Sequence, residues 1–114
     1  MRAFANMTRW WTMTEKADQH RRTVTVKIEG RVQGVYYRAW TFETAQSLGL
    51  DGMVRNMSDG SVEATFSGPP DVVADMIKRC EEGPPDARVT KVTITKEGGS
   101  VPPGFNVVAT DRWR

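Results

Sequence analysis

Residues 23–38 read TVTVKIEGRVQGVYYR, a strand pattern that passes directly into a glycine-flanked loop. Val24, Val26 and Ile28 alternate with polar residues. This period of two is typical of a strand with one buried face. The loop spans residues 30–34 and has glycine at both ends. The segment therefore predicts a half-buried strand followed by a tight turn.

A helix is predicted directly after this loop. Residues 38–48 contain no glycine or proline and stop at Gly49, a residue type common just beyond the end of a helix. Side chains spaced three and four residues apart lie on one face of a helix. The expected inner face carries Tyr37, Thr41, Ala45 and Leu48.

A hairpin is predicted next along the chain. Residues 52–57 read as a second strand, and the turn signal Ser58-Asp59-Gly60 follows it. Val62, Ala64 and Phe66 then alternate with polar residues, as expected for a third strand. The two strands are therefore expected to pair in antiparallel fashion.

The C-terminal half adds a helix and two strands. The helix begins near Pro70, and its apolar positions repeat at i, i+3, i+4 and i+7. These positions are Val73, Met76, Ile77 and Cys80. Val92 and Ile94 lie on one face of another strand, and residues 105–109 read as a short last strand.

This order of elements is the split βαβ arrangement. We predict an α+β protein with a ferredoxin-like βαββαβ sandwich, in which a mostly antiparallel sheet carries two helices on one face and an extra short C-terminal strand. The domain is expected over residues 23–110. Residues 1–22 show no clean apolar period and form an N-terminal extension that we expect to be flexible. Residues 111–114 form a C-terminal tail.

Composition narrows the class of protein. The chain has 114 residues and a net charge of +2, which fits one domain and gives less positive charge than nucleic-acid binders usually concentrate. Cys80 is the only cysteine and His20 the only histidine, so no disulfide and no zinc-type ligand set is expected. No apolar run suits a membrane span or a secretory signal. We therefore expect a cytoplasmic protein without a membrane or nucleic-acid partner.

The loop and the start of the first helix together suggest an anion-binding site. Backbone N–H groups of a glycine-rich turn and of a helix N-terminus converge on one point, and Arg38 can close over an anion with its planar guanidinium. The Gly-Lys-Ser/Thr ending of a Walker A loop is missing. Each piece alone has an ordinary alternative: a simple turn, a solvated Arg38, or turn chemistry at Asn56.

Two longer motifs resemble those of a known family. Residues 30–38, GRVQGVYYR, resemble the acylphosphatase pattern G-x-V-Q-G-V-x-[FY]-R. Residues 49–56, GLDGMVRN, resemble the second pattern of that family, G-[hydrophobic]-x-G-x-V-x-N. The likeness extends over about residues 23–109. Tyr36 and Tyr37 replace a commoner Phe pair, and their hydroxyls could add polar contacts near the loop.

The resemblance implies a ferredoxin-like fold and hydrolysis of acylphosphates to carboxylate and inorganic phosphate, with no cofactor and no metal. It assigns phosphate binding to Arg38 and water positioning to Asn56. The backbone amides that would share the phosphate belong to Arg31, Val32, Gln33, Gly34, Val35, Tyr36 and Tyr37. The partner implied is a small-molecule acylphosphate, with phosphate as product and competitive inhibitor, and we expect a monomer.

Two other functions remain open from the sequence. An RNA-binding module of the same topology stacks bases on aromatic residues of its first and third strands. Here the first strand has no aromatic residue and the third has only Phe66. The second alternative is an anion-binding domain that kept the loop but lost turnover. Because a fold serves many functions, topology alone does not separate these options.

Overall fold

The computed structural model describes residues 21–110 and contains two helices and five strands. The strands are β1 (Arg22–Arg31), β2 (Asp51–Asn56), β3 (Val62–Gly68), β4 (Arg88–Glu97) and β5 (Phe105–Val107). The helices are α1 (Tyr37–Ser47) and α2 (Pro70–Cys80). The predicted extension and tail lie outside the described residues, apart from Arg21 and Arg22. None of the described helices is long and apolar enough to cross a membrane.

The strands form one mixed sheet in the order β4-β1-β3-β2-β5. The pairs β1–β3, β1–β4 and β2–β3 are antiparallel, and β5 adds to β2 in parallel. The loop before β5 is held to the start of β2, because the Gly104 N–H donates to the Asp51 carboxylate at 2.8 Å. The predicted ferredoxin-like fold with an extra C-terminal strand is confirmed, although that strand ends at Val107 rather than at 109.

One face of the sheet forms the core. Cross-strand partners such as Val26 and Ala64, or Ile28 and Val62, share this face and are fully buried. Helix α2 packs over β1 and β3, and helix α1 packs over β2 and β5. The helices bury the stripes that the sequence predicts, except that Leu48 and Ile77 are only half-buried.

Helix α2 has favourable residues at both ends. Pro70 occupies the first turn, where its missing N–H costs nothing, and Asp71 lies beside the positive end of the helix dipole. Lys78 and Arg79 lie in the last turn, beside the negative end. This end of the helix lies close to the start of α1, which carries the candidate site.

The two outer strands differ in how well their apolar residues are covered. Ile94 pairs with Val26 on the core-facing side, as the strand pattern predicts, yet it is 43% exposed. The reason is its place on β4, the outermost strand on that side of the described sheet, whereas α2 lies over the neighbouring β1 and β3.

The position of Phe66 argues against the RNA-binding alternative. Its ring is fully buried and stacks on Phe105, with 5.8 Å between ring centroids and 17° between planes. A ring packed in this way has no free face for a nucleic-acid base. The aromatic residue on which an RNA-binding function would depend is therefore part of the core.

Candidate functional site

A cavity of about 530 Å³ opens where the β1–α1 loop meets the ends of β2 and β5. It combines residues from the loop, the first turn of α1, the last residue of β2 and the last residue of β5. The lining residues are Val32, Gly34, Tyr36, Tyr37, Arg38, Ala39, Asn56 and Val107. The fold thus brings Arg38 and Asn56 to one cavity, although they belong to different elements.

The start of α1 contributes backbone donors to this cavity. The first intrahelical bond runs from the Trp40 N–H to the Tyr36 carbonyl at 3.0 Å, so the preceding amides of Tyr37, Arg38 and Ala39 have no partner within the helix. No side chain of the described residues caps this helix start. These amides and the positive end of the helix dipole therefore favour an anion here.

Arg38 adds a full positive charge to the same place. It lies in the first turn of α1, is half-buried and lines the cavity. Within residues 21–110, no carboxylate forms a salt bridge with it, whereas Arg55 pairs with Glu63 at 2.8 Å and Arg22 pairs with Glu97 at 2.8 Å. Its guanidinium is therefore available to an anionic ligand.

Asn56 supplies a polar group that the described part of the chain does not satisfy. It is the last residue of β2, pairs with Val62 of β3 and is half-buried. Its side-chain amide has no hydrogen-bond partner among residues 21–110, in contrast to Gln33. An amide of this kind can donate to one group and accept from another, which suits it to orienting a water.

Gln33 connects the loop to the hairpin that carries Asn56. Its Nε2 donates to the carbonyl oxygens of Met57 and Ser61, both at 2.8 Å. Met57 directly follows Asn56, and the Met57 N–H itself donates to the Ser61 carbonyl at 2.8 Å. The Gln33 side chain therefore ties the loop to the hairpin, in addition to the pairing of β1 with β3.

The hairpin turn has an ionised carboxylate at its tip. The Asp59 carboxylate accepts the Ser61 hydroxyl at 2.6 Å and the Ser61 N–H at 3.0 Å, and it pairs with Lys27 at 3.1 Å. The hydrogen bonds from Ser61, with help from Lys27, lower the pKa of Asp59 to about 2. Because this pKa is depressed, the turn contacts are complete at neutral pH and weaken only as pH falls towards that value.

Residues 24–107 match the family model described as Acylphosphatase, which is most of the chain. The chain belongs to the acylphosphatase family. It is 51% identical over 85 residues to an acylphosphatase of Rhodospirillum rubrum, a match that covers 75% of this chain and 93% of the relative. A solved acylphosphatase from Coxiella burnetii superposes with a TM-score of 0.77 at 31% identity, covering 82% of this chain and 98% of that one.

A second solved acylphosphatase, from Bacillus subtilis, gives a TM-score of 0.72 at 30% identity and covers 76% of this chain and 98% of that one. The family, the ferredoxin-like fold and the hydrolase activity on acylphosphates that the sequence predicted are confirmed by these matches. The assignment of individual residues to steps of that activity stays a prediction.

Of the seven loop residues in the acylphosphatase pattern, the cavity includes Val32, Gly34, Tyr36 and Tyr37. The other three do not line it, but the role predicted for all seven is through their backbone amides and stays a prediction. Arg31 ends β1 and pairs with Arg88 of β4, Val35 is buried in the core, and the Gln33 side chain reaches the hairpin.

Two residues of the cavity, Ala39 and Val107, were not predicted from the sequence. Ala39 follows Arg38 in the first turn of α1, so counting that turn would have found it. Val107 reaches the cavity because β5 pairs in parallel with β2, where it lies opposite Val54. A three-residue strand has no sequence pattern that specifies its partner.

The two tyrosines of the loop differ sharply in their surroundings. Tyr36 is 80% exposed and has left-handed backbone angles, φ 66° and ψ 25°. Tyr37 is buried, and its hydroxyl donates to the Cys80 carbonyl at 2.6 Å. Burial raises the pKa of Tyr37 far above its usual range, so this hydroxyl stays protonated and links α1 to α2.

Cys80 is a core residue, as predicted. It is fully buried on the inner face of α2, and burial raises the pKa of its thiol to about 12. Because the thiolate is the reactive form, this cysteine is not a nucleophile. Among residues 21–110, no group of three His, Cys, Asp or Glu side chains is arranged to hold a metal ion.

Proposed function

We propose that this chain hydrolyses acylphosphates at the cavity between the β1–α1 loop and the end of β2, without a metal. The observation that carries the proposal is the shared cavity: the amides at the start of α1, the Arg38 side chain and Asn56 all belong to it. An anion-binding surface next to an unsatisfied amide is the arrangement that phosphoryl transfer to water needs, since this reaction depends on positioning and on charge stabilisation.

Arg38 and the backbone amides bind the phosphoryl group. The guanidinium can meet two phosphoryl oxygens at once, and the helix-start amides can meet the others. Their contribution to rate depends on contacts that strengthen as charge develops in the transition state. Since these donors are fixed by the fold before substrate binds, little reorganisation is needed at the moment of reaction.

Asn56 orients the attacking water. The water oxygen forms a bond to phosphorus while the bond between phosphorus and the acyl oxygen breaks, and the electron pair of that bond leaves with the carboxylate. The proton of the water passes to a phosphoryl oxygen, so the products are a carboxylate and inorganic phosphate. A protein base is therefore not required.

The leaving group explains why so few side chains suffice. A carboxylate is a stable anion of low proton affinity, with a pKa of about 4 in ordinary carboxylic acids, and it departs without protonation. The chain therefore needs no general acid in the cavity. The charge of the phosphoryl group is met by Arg38 and the amides, which removes the need for a divalent cation.

Hydrolysis of benzoyl phosphate by the purified chain in EDTA tests this proposal. We expect turnover in EDTA that added Mg²⁺ does not increase. A loss of activity in EDTA that Mg²⁺ restores would contradict the metal-free reaction. A folded chain that binds phosphate but turns over neither benzoyl nor acetyl phosphate would instead be the silent anion-binding domain.

The same proposal includes the partners and the compartment. Inorganic phosphate occupies the Arg38 site and competes with substrate, and neither nucleic acid nor membrane is a partner. We expect a monomer in the cytoplasm, in keeping with a cysteine that is free and buried. Competition kinetics test whether phosphate is a competitive inhibitor, and light scattering of the purified chain tests whether the protein is a monomer.

A further inference from the structure

Two exposed apolar side chains line the cavity. Among the described residues, three large apolar or aromatic side chains are strongly exposed: Tyr36 at 80%, Val107 at 46% and Ile94 at 43%. Tyr36 and Val107 line the cavity together with Arg38. Phosphate binding requires donors and positive charge, so these two side chains need another explanation.

The backbone at Tyr36 strengthens this point. Tyr36 is the one residue other than glycine with a positive φ in the described part of the chain. Glycine adopts such angles readily, whereas a bulky side chain is disfavoured there. The Tyr36 ring does not pack into the core, because it is exposed, whereas the ring of the neighbouring Tyr37 is buried. Backbone outliers of this kind are concentrated at ligand sites.

An acylphosphate has a charged end and an acyl end. The proposed function, on which this inference rests, assigns the charged end to Arg38 and the helix-start amides. The acyl end is uncharged, and the large apolar side chains of the cavity that remain exposed to it are those of Tyr36 and Val107. We propose that these two side chains form an acyl-binding rim, which selects substrates with aromatic or extended apolar acyl groups over small ones.

The rim acts by contact and not by exclusion. Because Tyr36 is largely exposed, the surface sets no upper limit on the size of the acyl group. The acyl group is remote from the phosphorus, so its contacts are similar in the bound substrate and in the transition state. Such uniform binding lowers KM and leaves kcat little changed. Selectivity should therefore appear in KM.

The test compares benzoyl phosphate with acetyl phosphate as substrates. Tyr36→Gly removes the ring and accepts the left-handed backbone, Tyr36→Phe keeps the ring, and Val107→Thr makes the rim more polar at nearly constant shape. Ile94→Ala is the matched control, because Ile94 is exposed to a similar degree as Val107 but does not line the cavity. For each variant, kcat and KM are measured on both substrates, together with the inhibition constant of phosphate.

We expect Tyr36→Gly to lower the benzoyl-to-acetyl ratio of kcat/KM about three- to tenfold, through the KM of benzoyl phosphate, in line with the modest selectivity of apolar contacts. Val107→Thr should shift the ratio in the same direction. Ile94→Ala should keep the wild-type ratio and the wild-type inhibition constant of phosphate. Tyr36→Phe, which keeps the ring, should lie closer to wild type than Tyr36→Gly, and in the rim variants the inhibition constant of phosphate should change less than the KM of benzoyl phosphate.

Three results would contradict the proposed acyl-binding rim. The first is a wild-type ratio in both Tyr36→Gly and Val107→Thr. The second is an equal loss on both substrates with weaker phosphate inhibition, which would mean that Tyr36 only shapes the loop. The third is a wild-type chain that hydrolyses neither substrate, which would remove the proposed function itself and is recognised before any variant is made.

Discussion

Arg38 and Asn56 differ in what they offer a substrate. Arg38 is positively charged and has no carboxylate partner among residues 21–110, so in the proposed function it attracts and holds the anion. Asn56 is neutral, and its amide matters only once a water and a phosphoryl group are in place. Substitution of Arg38 should therefore weaken phosphate binding and turnover together, whereas substitution of Asn56 should lower turnover and leave phosphate binding nearly intact.

Arg38→Lys tests the first of these roles. Lysine keeps the charge but loses the planar pair of donors, so we expect weaker inhibition by inorganic phosphate and a kcat/KM lower by about 10²-fold. Competition assays with benzoyl phosphate measure both values. Arg79→Lys is the control, because Arg79 lies on α2 and pairs with Asp75 away from the cavity. Unchanged phosphate inhibition in Arg38→Lys would exclude Arg38 from the phosphate site.

At the scale of elements, the site depends on how the β1–α1 loop and the β2–β3 hairpin are held together. Gln33 donates to two hairpin carbonyls, those of Met57 and Ser61. In the proposed function the loop carries the phosphate donors and the hairpin carries Asn56, so this side chain would hold the phosphoryl group and the water at a suitable separation. We therefore propose that the Gln33 side chain, which bonds to the hairpin and does not line the cavity, acts by positioning.

Gln33→Ala should lower kcat about tenfold while the inhibition constant of phosphate changes by less than about threefold, since small misplacements of reacting groups are costly in rate. Gln33→Glu keeps the length of the side chain but places a carboxylate against two carbonyl oxygens, so it should not rescue kcat at neutral pH. Partial recovery is expected as the carboxyl group is protonated and becomes a donor. If Gln33 only stabilised the fold, Gln33→Ala would lower the free energy of unfolding, and the kcat of Gln33→Glu would not recover as the pH is lowered.

The elements also show which features a sequence can predict. Alternation and turn residues predicted β1, β2, β3 and both helices, because each pattern reports which face of an element is buried. The pairing of β5 with β2 and the exposure of Ile94 depend on neighbours in the sheet, which no local pattern specifies. The contacts of Gln33 and the opposite surroundings of Tyr36 and Tyr37 are likewise properties of the folded chain.

At the scale of the whole molecule, one buried hydrogen bond joins the two helices near the site. The Tyr37 hydroxyl donates to the Cys80 carbonyl, which connects the start of α1 to the end of α2. Since α2 packs on the central strands β1 and β3, this bond fixes the start of α1 relative to the core. The helix-start amides in the cavity depend on that placement.

Tyr37→Phe removes this hydrogen bond and leaves a buried carbonyl without its donor, so we expect the free energy of unfolding to fall by about 1–2 kcal/mol. Denaturant titration at neutral pH measures the change. Tyr36→Phe is the matched control, since the Tyr36 ring is exposed, and it should leave the midpoint unchanged. Equal midpoints for the two variants would show that the Tyr37 contact does not stabilise the fold.

The role of Asn56 in metal-free hydrolysis is tested by measuring the turnover of benzoyl phosphate by Asn56→Ala beside the wild-type chain, both in EDTA. Asn56 lies at the end of a strand and its side chain bonds to no other described residue, so the variant should fold and bind phosphate normally. We predict a kcat lower by about 10²-fold or more with phosphate inhibition retained, by analogy with the loss of one preorganised donor. Wild-type turnover by a folded Asn56→Ala variant would contradict the proposed role of Asn56 in orienting the water.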